Sequence, residues 1–316
     1  MEPKNDNQRG RTQRDMWTPL RMGDLSPEDI RRAKILLDRI PELPVSVHQV
    51  LKLTADPKTS SQDIAEIVSS DPVLVSNILM MVNSSYYGIN RKIDNLRLAI
   101  VLLGFNEVRS IAIRSGFSNA VKRIGAQTGY DTSNLWAHSY LVSSCSEWFA
   151  GDDDPQRAGM LLTLGLLHDI GKFALYTLGI MMKDRGVRPH SEEAVPPDAH
   201  LLEKEEILFG VNHPIIGGML ARKWNLSERI CASIEYHHHP SFFGGKDIPS
   251  DFTFEIAAAC ISDLIVNRME NSDIHLKTPH PMFFEQLGIE PQLDRAVNPE
   301  LADRLERARA FIAEIG

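Results

Sequence analysis

The strongest constraint on the fold is the period at which apolar residues return. They recur at i, i+3 and i+4 along nearly the whole chain, whereas alternation with period 2 is confined to short stretches. A chain patterned this way buries its apolar faces as helices, so the expected fold class is all-α. The polar punctuation agrees. Ser26-Pro27-Glu28-Asp29 offers an N-cap, a proline at the first helical position and acids in the first turn. Asp71-Pro72 repeats the arrangement ahead of the apolar run 73–82.

Helices are expected over 26–39, 46–55, from 60 or 61, 73–82, 95–103 and 106–121. Together they predict an N-terminal helical bundle over residues 26–122. Gly125 and Gly129 mark a junction. Further helices are expected over 132–149, 155–170 with a continuation to about 182, 198–209, 213–224, 227–238, 252–269 and 299–314. They predict a second helical subdomain over 123–290 and a C-terminal helix within 291–316. The polar, proline-bearing stretch 183–197 and residues 242–251 read as loops. Residues 1–25 carry basic side chains with no apolar segment behind them. This is not a secretory signal and reads as a disordered, solvated tail.

Length and composition narrow the function. A chain of 316 residues is long enough for about two domains, so neither a disulfide nor a metal is needed merely to fold. Lys and Arg number 34 against 42 Asp and Glu, a formal charge of −8, which disfavours a general nucleic-acid binder. Arg109, Arg114, Lys122 and Arg123 form a modest basic set that reads as a solvated helix face. The longest apolar run, 160–167, is interrupted by Thr163 and ends at His168, short of the roughly 18 residues of a membrane span. Cys145, Cys231 and Cys260 are too sparse and too widely spaced for a disulfide framework, and point to the reducing cytoplasm.

The chemistry begins at Leu166-Leu167-His168-Asp169-Ile170-Gly171-Lys172, where two ligand-type side chains end an apolar helical run. A buried helix does not carry such a pair without partners, because unpaired charge in a low dielectric is costly. A divalent metal suits imidazole and carboxylate together, with Mn, Fe, Ni and Zn all chemically compatible. Lys172 follows His168 by four residues, on the same helical face, where it can neutralise a phosphate oxygen. His138 sits mid-helix, His213 opens a helix, and His237 and His238 close one. Asp263 lies within Ala257-Ala258-Ala259-Cys260-Ile261-Ser262-Asp263-Leu264-Ile265, where a carboxylate needs neutralising.

The order His, His-Asp, His, His-His, Asp resembles that of the HD superfamily of metal-dependent phosphohydrolases. The segments Ile40-Pro-Glu-Leu-Pro-Val-Ser-Val, Asp71-Pro-Val-Leu-Val, Asn83-Ser-Ser-Tyr-Tyr-Gly88 and Ala99-Ile-Val-Leu-Leu-Gly104 resemble the HDOD family within it. Trp136-Ala-His-Ser139, His168-Asp-Ile-Gly-Lys172 and His237-His-His-Pro240 continue the likeness, which covers about residues 30–270. The resemblance implies a helical bundle packed on an HD-like helical subdomain. It implies a first metal held at the positions of His138, His168, Asp169 and Asp263. A second would be held by His213, His237 and His238, with Asp169 as the bridge and Lys172 beside it.

Many HDOD members lack several of these ligands; this chain carries a competent residue at each. The Gly-Tyr-Pro loop of cyclic-dinucleotide phosphodiesterases is replaced here by His239-Pro-Ser-Phe-Phe-Gly-Gly-Lys246, and the glutamate associated with a third metal by Asn134. The leading expectation is a bacterial HDOD signal-transduction protein retaining a dinuclear centre of divalent transition metal, with Fe or Mn favoured over Zn or Ni. Its partner would be a signalling protein or a phosphate-containing small molecule, with no role for a membrane or nucleic acid. An active phosphohydrolase on a nucleotide or cyclic nucleotide is the alternative, with Asp169 and Lys172 in the catalytic roles, and a metal-free interaction adaptor is the third reading.

Overall fold

The computed structural model describes residues 17–315 apart from 39, 41–44, 55, 57, 85–86, 126–132, 152–153, 185–194, 197–198 and 271–276. Among these, every regular element is a helix and there is no strand, as the all-α expectation requires. The first half contains α1 (Pro27–Leu37), α2 (Val45–Thr54), α3 (Ser61–Val68), α4 (Pro72–Val82), α5 (Leu96–Leu103) and α6 (Phe105–Gly125). The second contains α7 (Ser133–Trp148), α8 (Pro155–Leu167), α9 (Ile170–Asp184), α10 (Leu201–Phe209), α11 (His213–Lys223) and α12 (Glu228–Tyr236). It continues with α13 (His239–Phe242), α14 (Thr253–Glu270), α15 (Pro281–Gln286), α16 (Leu293–Ala296) and α17 (Pro299–Ile315).

Short polar side chains set the helix starts. Ser60 and Asp63 form a reciprocal capping box at α3. One oxygen of Asp71 accepts from the backbone N–H groups of Val73 and Leu74, while the other accepts from Ser46 Oγ at 2.7 Å. A single cap therefore ties the start of α4 to α2. The apolar faces of both halves join one core that runs from Leu25 to Phe311.

Several expectations are corrected. Residues 1–16 of the expected tail lie outside the described residues, but 17–25 are packed. The Leu20 N–H donates to Glu206 Oε1 at 2.7 Å, Arg21 pairs with Asp247 at 2.6 Å, and Leu25 is buried. Helix α1, assigned to the N-terminal bundle, packs on α9 and α11 of the second half. The Lys223 ammonium donates to the carbonyls of Leu37 and Ile40, satisfying acceptors that the end of α1 leaves open. The helix expected to run on from 155 past 170 is interrupted at His168 and Asp169. Residues 157–179 do match a membrane span in length and apolarity, but 83% of the most apolar window is buried inside the fold. Helices α13, α15 and α16 had no strong periodic signal, being only one turn or so long.

Candidate metal centre

Glycines let the helices approach closely enough to assemble the centre. A Cβ on Gly165 of α8 would lie 2.5 Å from the Ser143 Cα of α7, the helix that carries His138. A Cβ on Gly171 of α9 would lie 1.8 Å from the carbonyl oxygen of His213, and one on Gly217 of α11 would lie 2.9 Å from Ile234 of α12. At the first two contacts backbone meets backbone, at the third a glycine meets a side chain, and any larger residue would hold the helices apart. The result is that His138 on α7, His168 and Asp169 between α8 and α9, and His213 at the start of α11 converge. His237 and His238 join them from the end of α12, and Asp263 from the middle of α14.

All seven expected ligand residues fall into two adjacent groups. In the first, His138 Nε2 lies 3.0 Å from Asp263 Oδ1 and 3.8 Å from Asp169 Oδ2. His168 Nε2 lies 3.3 Å from Asp169 Oδ2 and 3.5 Å from Asp263 Oδ1. In the second, His213 Nε2 lies 3.4 Å from His237 Nε2 and 3.2 Å from His238 Nε2. Asp169 stands between the groups. Its Oδ2 faces the first, and its Oδ1 lies 3.2 Å from His213 Nε2 and 3.9 Å from His237 Nε2.

The far sides of four of the rings are anchored. Nδ1 of His168 donates to the carbonyl of Gly165 at 2.8 Å, and Nδ1 of His237 to that of Ile234 at 2.7 Å. Nδ1 of His138 meets Glu270 Oε2 at 2.8 Å, and Nδ1 of His213 meets Glu205 Oε2 at 2.7 Å. Holding Nδ1 in this way turns the Nε2 lone pair inward, the arrangement that metal-ligating histidines adopt.

The electrostatics also call for cations. Four carboxylates (Asp169, Asp263, Glu205 and Glu270) surround the rings, with Lys172 as the ammonium paired to Asp169 Oδ2. Burial pulls the His168 imidazole down, but the charges and hydrogen bonds of Asp169 and Asp263 outweigh it and raise it to about 10. Burial, with the charges of His168 and His213, pushes His237 down to about 3. Buried Asp169 Oδ1 and His168 Nε2 have no well-aligned hydrogen-bond partner. These inward-facing nitrogens and oxygens are a donor set that fits a divalent metal ion.

Sequence reasoning missed three neighbours. Glu270 lies two helical turns after Asp263, a spacing that was legible. Glu205 reaches His213 across a turn and left no periodic signal. His200 has its ring against His238, with centroids 6.4 Å apart, and stacks on Trp17. His239 is buried between Tyr236 and Phe243, outside the two groups.

A model of the HDOD domain matches residues 40–240. The chain belongs to the HDOD family. Among solved structures, this HDOD chain resembles an HDOD domain protein of unknown function from Geobacter sulfurreducens, at TM-score 0.65 and 22% identity over 91% of this chain and 99% of that one. It also resembles a putative phosphohydrolase from Shewanella amazonensis SB2B, at TM-score 0.59 and 19% identity over 90% and 98% of the two chains. A putative metal-dependent phosphohydrolase from the same organism gives TM-score 0.53 and 15% identity over 90% and 97%. These likenesses show the fold. An uncharacterized protein of Treponema pallidum (strain Nichols) is 26% identical over 259 residues, which is 81% of this chain and 48% of that protein. The HDOD chain thus spans about half the length of the curated relative it matches.

Proposed function

We propose that this HDOD protein is a cytoplasmic regulator that holds two divalent transition-metal ions and uses the centre to bind a phosphate-bearing ligand or to dock a signalling partner. One observation carries the reading: the two oxygens of Asp169 face two separate, complete groups of ligand-type side chains. The depth of the centre favours regulation over rapid turnover, since His168, His213 and His237 are fully buried and Trp17, His200 and Phe242 pack together beside His238. Three buried, unpaired cysteines support the reducing compartment.

Hydrolysis of a phosphoester is the second reading, favoured by Lys172. Two such ions, when bound, polarise phosphate oxygens and lower the pKa of water. The chain's own part is then limited and specific. Glu205 and Glu270 orient His213 and His138, Asp169 serves both groups, and the Lys172 ammonium offers positive charge to a phosphoryl oxygen at the rim.

The test is metal content by elemental analysis of protein purified without chelator or nickel resin, beside a folded His168→Ala/Asp169→Ala variant. About two ions per chain, lost in the variant, supports the centre. No ion, even after anaerobic loading with iron or manganese, overturns it. Turnover of bis-p-nitrophenyl phosphate or p-nitrophenyl phosphate by the loaded protein then separates the enzyme from the regulator.

A further inference from the structure

The two halves of the molecule line a solvent-open cavity of about 740 Å³ that includes none of the metal-ligand residues. A volume in the range of several hundred cubic ångströms at a junction between subdomains is typical of small-molecule sites. Its apolar walls come from Leu51 of α2, Met160 of α8 and, across the gap, Leu226 just before α12 and Ile230 in its first turn. Its ionisable groups are all basic and stand beside the neutral polar side chains of Thr163, Asn225 and Ser227. His48 and Lys52 project from α2 and Arg109 from α6, and among the described residues no carboxylate lines it.

Arg109 is the unexpected member. It was read as part of a solvated basic face, yet it is only 4% exposed; the side chains of Arg114, Lys122 and Arg123 lie outside those described. Its guanidinium rests on Gly159 of α8, where a Cβ would lie 1.9 Å from Nη1. Gly159 thus makes the berth for a buried cation. Burial pulls that guanidinium down to about 10 against the opposing charge of Glu147. Glu147 is itself engaged by Arg304 and by Asn106 Nδ2 at 3.1 Å, so one carboxylate serves two guanidinium groups. On the cavity side Lys52 stands exposed, and Arg109 shares the lining with it. Guanidinium and ammonium groups gathered beside apolar walls suit an anion with an apolar body.

We infer that this cavity binds an organic anion whose acidic group pairs with Lys52, His48 and Arg109 while its apolar body lies on Leu51, Met160, Leu226 and Ile230. The site shares no lining residue with the metal centre. A nucleotide or an acyl phosphate would each satisfy it.

The test is titration of the full-length protein with 1-anilinonaphthalene-8-sulfonate, an apolar ring system bearing one sulfonate, followed by fluorescence. One saturable site is expected. Lys52→Glu, at an exposed position, should weaken it at least fivefold, and Met160→Trp, which narrows the cavity on its apolar wall, should weaken it as well. Ile35→Glu, at an exposed apolar position elsewhere, should leave it unchanged. Displacement by adenosine monophosphate supports a nucleotide, and displacement by dodecyl phosphate supports an acyl phosphate. If Met160→Trp does not fold, Lys52→Glu decides. No saturable binding to the folded protein, unchanged binding in Lys52→Glu, or an equal loss in Ile35→Glu overturns the site.

Discussion

Gly171 rests directly on the backbone of His213, so closely that a Cβ would lie 1.8 Å from the His213 carbonyl oxygen. The contact fixes the distance between Asp169, two residues earlier, and the His213 ring. Gly171→Ala should therefore destabilise the protein by roughly 1–3 kcal/mol through overpacking and lower its metal content. Gly179→Ala, on the same helix, has its nearest obstacle at 3.6 Å and should be neutral or stabilising by up to about 1 kcal/mol. Urea unfolding of the pair measures both. Equal stability of the two variants would deny the close approach.

Asp169 and Asp263 differ in what they reach. Asp169 touches both groups of ligand atoms, whereas Asp263 lies against His138 and His168 of the first group. On the dinuclear reading, Asp169→Asn should lose both ions, and Asp263→Asn should lose one. Elemental analysis of the two folded variants distinguishes a shared carboxylate from two independent sites, because independent sites would lose one ion in each.

Much of this was legible before the fold was known. The helical period gave the class, and caps such as Asp71 and Ser60 placed the helix starts to within a residue or so. The ligand residues stood out because His168-Asp169 and Asp263 interrupt apolar runs, where a lone polar group has no cheap explanation. What was hidden depends on approach in three dimensions. Gly159, Gly165 and Gly217 read as ordinary helix residues until their neighbours are known. Glu205 lies across a turn from the ring it orients, and Arg109 looks solvated in a sequence that cannot show Gly159 beneath it. The packing of 17–25 was equally invisible, because its anchors, Glu206 and Asp247, lie 186 and 226 positions further along the chain.

Lys172 and a bound cation compete for the same carboxylate, since the lysine pairs with Asp169 Oδ2. Replacing its charge should have opposite effects on the two ligands of the centre. Lys172→Met should tighten divalent metal by about tenfold, the order expected for removing one like charge a few ångströms away in a partly screened site. It should also weaken inorganic phosphate at the metal-loaded protein. Isothermal titration with manganese, then with phosphate, checks both signs; loss of both affinities would show that the lysine is structural.

The carboxylates that favour a metal also favour a proton. His168 is raised from the ordinary histidine value to about 10, so metal uptake at neutral pH must displace a proton. The sign follows by linkage. A raised pKa contributes stability below about 6.5 that is lost as pH rises through about 10, so protein stripped of metal should lose stability over that window. Metal affinity should rise over the same window. Proton release on adding manganese in weak buffer, measured near pH 7.5, tests this directly; uptake without release would mean that the ring is already neutral.

The cavity and the centre share two helices. From Met160, α8 runs to His168 and Asp169, and from Ile230, α12 runs to His237 and His238. At 1.5 Å per residue these are paths of roughly 10–12 Å through rigid helix. An anion wedged between the starts of both helices should bias how their ends present the ligands. Binding at the two sites should then be coupled, and by linkage the coupling is reciprocal. Saturating anilinonaphthalene sulfonate should shift manganese affinity by about fivefold or more, and manganese should shift the dye's affinity by the same factor. Lys52→Glu should abolish the shift while leaving manganese binding itself intact. Equal manganese affinity with and without saturating dye would show that the two sites are energetically separate, and that α8 and α12 hold the ligands fixed regardless of what lies between them.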